Sequence, residues 1–210
     1  MRALYLYGFR LTSEGDGDMF FTYSMLNNSS TMRFRLTWDG IVEQLIWIND
    51  NTEWNVTLSH PSNECEFYNR CGNFGLCRLK GSPICSCMRG FEPKNKGEWD
   101  NGNWSRGCIR QTPLLCGGNG TRDGFLELEG VKLADYANAS VAADSNECKE
   151  ECLRNCSCNA YTFLPGTGCM IWSGDLVDVE HFDDGGKSLF IRLATSEFGK
   201  VIYPCLVFGS

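Results

Sequence analysis

The chain has 210 residues, 13 cysteines, a formal net charge of −7 and only two histidines, His60 and His181. An acidic chain with no Lys/Arg cluster excludes a nucleic-acid partner, because phosphate-backbone binding needs a basic face. So few histidines also exclude histidine-based metal or triad chemistry, and the length allows one large domain or two to three small ones.

The first stretch, "MRALYLYGFRLTSEGDG", does not read as a signal peptide: its apolar run is short and Arg10 interrupts it. Residues 18–59 read as a β-meander. "MFFTYSML", "TMRFRLTW" and "IVEQLIWI" are aromatic and β-branched runs, separated by Asn27-Asn28-Ser29-Ser30 and by the turn pair Asp39-Gly40. "EWNVTLS" is the candidate fourth strand. Three or four strands without a closing partner make a poor domain alone, so residues 1–60 read as the C-terminal part of a larger β structure.

Residues 61–115 are loop-rich, with six cysteines spaced C-x5-C-x5-C-x7-C-x-C-x20-C between Cys65 and Cys108. So short a segment buries too little surface for a hydrophobic core to suffice, and the spacing lacks the paired ligands of a zinc site. Disulfides are expected, with pairings that spacing alone leaves open.

Residues 116–196 read as α+β. "GFLELEGVKLAD" is strand-like, and "DSNECKEECLRNC" is helical, with Asp144 and Glu147 fitting a capping box. Short strands follow at "NAYTFL", "GCMIWSG" and "SLFIRLA". Cys148, Cys152 and Cys156 recur every four residues and so share a helix face. No Cys-x-x-Cys is present for redox work, and disulfides pinning the helix to the sheet are the expected chemistry. Residues 197–210, with Cys205, show no usable pattern. The tail "VIYPCLVFGS" is too short for a bilayer, which takes about 20 apolar residues. Disulfides need an oxidising compartment, so a chain without visible export or anchoring signals is expected to be a fragment or a truncated gene product. Asn-x-Ser/Thr glycosylation sequons occur at Asn27, Asn28, Asn55, Asn103, Asn119, Asn138 and Asn155.

"NRCGNFGLC" followed by "CSCMRGFEP" resembles an EGF-like module. That resemblance implies the pairs Cys65–Cys77, Cys71–Cys85 and Cys87–Cys108. In "HPSNE", the stretch just ahead of Cys65, only Glu64 is acidic, unlike calcium-binding modules of this kind, so no metal and no cofactor are expected. "CKEECLRNCSCNAYTF…GCMIWSGDL" with "LFIRLA" resembles a PAN/apple domain, implying Cys148–Cys169 and Cys152–Cys158. Cys116 and Cys156 are then joined as the remaining pair.

The order of these segments over residues 15–197 resembles the membrane-proximal ectodomain of plant S-locus glycoproteins and S-domain (G-type lectin) receptor-like kinases. The expected fold is therefore mainly β, with a β-meander remnant, a disulfide-rich EGF-like module and a PAN/apple domain of one helix on an antiparallel sheet. The implied role is a non-catalytic extracellular recognition module at the plasma membrane, as in the recognition of pollen. Its implied partner is a cysteine-rich peptide or other protein ligand, with homo- or heterodimers of related receptors. The loop residues Trp99 and Trp104 are candidate contacts; the competing reading is that they cover the EGF-like core. Family kinase activity is not expected here, since no Gly-rich loop, His-Arg-Asp or Asp-Phe-Gly motif occurs in the chain. The alternatives are part of a membrane receptor Ser/Thr protein kinase whose kinase domain is absent from this chain, a secreted truncated decoy, and a carbohydrate-binding PAN module.

Overall fold

A computed structural model describes residues 9–13, 19–23, 30–48, 53–116 and 123–199. The chain divides into two units, Met1–Glu66 and Phe67–Ser210.

In the first unit, β1 (Phe9–Ser13) and β2 (Met19–Tyr23) form an antiparallel pair. The strands β3 (Ser30–Leu36), β4 (Val42–Ile48) and β5 (Trp54–His60) form a separate meander in that order. The sequence reading placed "MFFTYSML" in one meander with the later strands. The structure instead pairs it with β1, whose alternation is too brief to stand out. Gly40, at φ +85°, closes the β3–β4 turn as the Asp-Gly signal requires. Thr37 finishes it, exchanging hydrogen bonds with Ile41 through both backbone and hydroxyl.

The second unit is built on an eight-stranded sheet. Its strands are β6 (Gly75–Arg78), β7 (Cys85–Cys87), β10 (Gly124–Lys132), β11 (Asn138–Ser140), β12 (Ala160–Leu164), β13 (Gly168–Trp172), β14 (Val179–His181) and β15 (Lys187–Leu193). The order is β11-β13-β12-β15-β10-β14-β6-β7. All of its pairings are antiparallel except β14 with β6, which is parallel and joins EGF-like residues to PAN-like ones. The strands β8 (Phe91–Pro93) and β9 (Cys108–Arg110) form a small ribbon of their own, and α1 (Lys96–Asp100) lies between them in sequence.

Successive strand residues face opposite ways, and here both faces are covered. On one face Tyr161, Cys169 and Ile171 meet Cys148 and Cys152 of α2 (Ser145–Arg154). On that side Tyr161 stacks on Phe190 at 4.8 Å and takes Phe125 edge-on at 4.7 Å. On the other face Trp172, Leu189, Ile191 and Leu193 share a core with Phe74, Leu76, Met88 and Phe91 of the EGF-like segment. The glycine of the EGF-like motif records this closeness. A Cβ on Gly90, at φ +83°, would lie 2.6 Å from Leu193 Cδ2.

Helix α2 starts as its sequence foretells. Asp144 Oδ1 accepts from the N–H groups of Asn146 (2.8 Å) and Glu147 (2.9 Å), while Glu147 Oε2 reaches back to Ala143 N–H at 2.8 Å. The return bond thus falls one residue earlier than in the standard box. Asp144→Ala should cost about 0.5–2 kcal/mol, read as a lower denaturant midpoint with an unchanged slope.

Candidate functional site

Whatever the second unit presents to a partner is held in place at the junction of its EGF-like and PAN-like segments. Arg192 is 1% exposed and its guanidinium is fully engaged. Nε and Nη2 donate to Asp123 Oδ2 at 3.0 and 2.9 Å. Nη1 donates to the carbonyls of Cys152 (3.0 Å) and Asn155 (2.8 Å), and Nη2 to that of Leu153 (3.3 Å). The charge therefore sits on the C-terminal carbonyls of α2, where a cation opposes the helix dipole. Asp123 in turn accepts from the N–H groups of Leu115 (2.8 Å) and Cys116 (3.2 Å).

Arg110, on β9, reaches across from the EGF-like side. It donates to the carbonyl of Arg192 at 2.5 Å and to Asn159 Oδ1 at 2.9 Å, with its guanidinium over the Phe91 ring at 4.8 Å. Burial pulls its pKa down to about 10; Asp123 opposes the fall and the charge of Arg192 adds to it. It remains cationic at neutral pH.

A second junction centres on Asp178. Its Oδ1 accepts from Asn69 N–H at 2.6 Å, its own N–H donates to Asn69 Oδ1 at 3.3 Å, and Oδ2 is ion-paired with Lys132. Both Asn69 and Asp178 have positive φ, at 50° and 62°, which Asn and Asp tolerate better than most side chains. Asn73 Nδ2 donates to Asp175 Oδ2 at 2.6 Å, and Phe74 N–H to the Leu176 carbonyl at 2.8 Å. The hydroxyls of Tyr68 and Tyr136 lie 3.1 Å apart, and that hydrogen bond pushes Tyr68 up to about 12.

Disulfides fasten the rest. The structure joins Cys71 to Cys85, Cys87 to Cys108, Cys116 to Cys156, Cys148 to Cys169 and Cys152 to Cys158. Cys65 and Cys77 are each disulfide-bonded, and Cys205 lies outside the described residues. Cys148 and Cys152 are fully buried under α2, whereas Cys156 falls beyond the helix end and is exposed. The Sγ atoms of Cys71, Cys77 and Cys85 lie within 4.8 Å of one another. Their sulfurs are all in disulfides, so they offer none of the thiolates a metal ion would take. Replacing Cys148 and Cys169 together by alanine should cost about 3 kcal/mol on the loop-entropy estimate, measured by urea unfolding.

The two candidate contact residues are not free-standing. Trp99 is half-buried against the sheet core, and Trp104 is half-buried with Arg70 over its ring at 5.4 Å. Trp104 Nε1 is buried with no hydrogen-bond partner among the described residues. Of the sequon asparagines, Asn55, Asn103, Asn138 and Asn155 are exposed, while Asn27, Asn28 and Asn119 lie outside the described residues. His60 ends β5 and is exposed; His181 is half-buried at the end of β14.

Sequence reasoning missed an apolar tip in the first unit. Leu36 is 71% exposed and Trp38 is 98% exposed, and Leu36 faces the exposed Val42 across the hairpin. On the same meander the Arg33 guanidinium lies 4.2 Å over Trp54, whose ring is 5.6 Å from Trp47. The run "TMRFRLTW" gave no sign that its last tryptophan leaves the strand.

A disulfide-pinned helix on a short-stranded sheet, with a cysteine-knit segment against it, defines a class of disulfide-stabilised module. The S-locus glycoprotein domain family matches residues 1–95 and the PAN-like domain family matches residues 116–179. The chain carries an S-locus glycoprotein domain followed by a PAN-like domain. More particularly, it is similar to Arabidopsis thaliana proteins described as G-type lectin S-receptor-like serine/threonine-protein kinases. One is 48% identical over 202 residues and another 43% identical over 203, covering 93% and 92% of this chain. The chain spans only 23% and 24% of their lengths, and the matched segments are not kinase domains.

Proposed function

We propose that this chain is a non-catalytic extracellular recognition segment of an S-domain receptor, engaging a protein ligand and pairing with related receptors. One observation carries the reading. The EGF-like and PAN-like segments share a single core and a single sheet, so a contact made on one is borne rigidly by the other. A signalling stalk needs this stiffness. The bridges favour an oxidising compartment, which supports an extracellular reading.

In this reading residues 1–60 complete a β region, 61–115 are the EGF-like module with Cys65 joined to Cys77, and 116–196 are the PAN/apple domain. Residues 197–210 lead away from it. The sequons carry glycans, and the exposed parts of Trp99 and Trp104 belong to the contact surface. A secreted cysteine-rich peptide is the ligand class, with pollen recognition as the setting. The test is to secrete the chain with its bridges formed, then measure self-association by sedimentation and binding to a panel of small secreted cysteine-rich proteins. Saturable binding that is lost on reduction supports the reading. A strict monomer that binds none of them, or transfer of phosphate from ATP by the chain itself, overturns it.

A further inference from the structure

We infer that Asn155 is a conditional glycosylation site whose occupancy is set by the timing of the Cys116–Cys156 bond. The inference rests on the export proposed above. Asn55 and Asn138 lie within paired strands, whereas Asn103 and Asn155 each stand in a loop just after a helix. In both loops the carboxamide oxygen is occupied by the third sequon residue. Asn155 Oδ1 accepts from Ser157 N–H (3.0 Å) and Oγ–H (2.7 Å), and Asn103 Oδ1 from Ser105 N–H (3.3 Å) and Oγ–H (2.8 Å). The Nδ2 atoms, which acquire the sugar, are left with no hydrogen-bond partner among the described residues, and both asparagines are exposed. This local geometry is the Asx turn.

Asn155 differs from Asn103 in what lies between sequon ends. Its middle residue is Cys156, bonded to Cys116. Both cysteines are exposed, whereas each other bridge whose pairing is described has at least one buried cysteine. Once the fold closes, Asn155 is held on both sides. Its N–H donates to the Glu151 carbonyl at 3.2 Å, and its carbonyl accepts from Arg192 at 2.8 Å. A transferase that must draw the sequon into its own site therefore has access only before closure. Cys116 is synthesised ahead of Cys156, so its thiol is already waiting when the sequon emerges.

Two reactions then compete. In one, Asn155 Nδ2 forms a bond to C1 of a lipid-diphosphate-linked oligosaccharide; the C1–O bond breaks, the amide proton passes to a base and the lipid diphosphate leaves. In the other, the Cys116 and Cys156 thiols exchange with a protein disulfide, which is reduced to a dithiol as their bond forms. Chains in which the bridge closes first leave without the Asn155 glycan.

The chain, preceded by a secretory leader, is translated into microsomes, and site occupancy is read by mass spectrometry of the translocated product. Wild type should show Asn155 only partly occupied. Cys116→Ser, which leaves the sequon intact, should make the Asn155 glycoform the main species, as should a dithiol reductant present during translation of wild type. Asn103 occupancy should not respond to Cys116→Ser. Because glycans are added before folding is complete, a variant that later misfolds still reports. Asn155 fully occupied in wild type, or unchanged in both treatments, overturns the inference. If no sequon is modified in any chain, the export reading fails instead.

Discussion

Asp123→Ala is expected to remove about 3–5 kcal/mol of stability, because it strands a buried arginine without its counter-charge. That is a large share of the 5–15 kcal/mol typical of a domain. The loss has three sources. Arg192, 1% exposed, gives up a two-nitrogen contact to one carboxylate oxygen. The N–H groups of Leu115 and Cys116, on exposed residues, lose their protein acceptor and are left to water. Arg110, already opposed by the charge of Arg192 and aided by that of Asp123, is left with repulsion alone. Asp123→Asn keeps the shape and an acceptor, so it should fall between the variant and wild type. Urea unfolding of secreted protein with intact bridges measures both. A loss below about 1 kcal/mol for Asp123→Ala would show that water reaches Arg192 and that the pair lies on the surface rather than in the core.

The same pair shows where reading the sequence stops. Helix α2 was legible because its cap, its length and its cysteines at intervals of four all agree. The strands β10, β12, β13 and β15 were legible as strand-like segments of five or more residues. The three-residue strands β11 and β14 are too short to establish a period, and the parallel pairing of β14 with β6 depends on the second of them. Asp123 and Arg192 stand 69 residues apart, and nothing near either one marks it as half of a buried pair. Trp38 fails in the opposite way: hydropathy assigns a tryptophan to a core, yet this one is at a hairpin tip. Among candidate site residues, the cysteines were readable from spacing and resemblance. Which sequon shares its middle residue with an exposed bridge becomes meaningful only in three dimensions.

A chain beginning at Cys116 and ending at residue 199 should fail to give a stable monomer, although it contains the whole PAN-like sheet and helix. The sequence invites that dissection, since its cysteine spacings parse into two independent modules. The runs "GCMIWSG" and "SLFIRLA" already hint otherwise, because strands buried on both faces read as continuous apolar stretches rather than alternating ones. Residues 169 and 171 supply the face under α2, and Trp172, Leu189, Ile191 and Leu193 the face under the EGF-like segment. Removing that segment returns the second face to water. Burial of a large apolar side chain is worth about 1.5–3 kcal/mol, so exposing these four alone rivals the entire stability of a small domain. The truncation also removes Arg110 and Asn69, the partners at both junctions. A chain of residues 61–199 keeps the cover and should unfold cooperatively as one unit. Calorimetry, size-exclusion chromatography and binding of an apolar dye compare the two. A monomeric, cooperatively melting 116–199 chain that binds no dye would show that the shared core is an accessory, and that the stiffness attributed to the stalk must come from elsewhere.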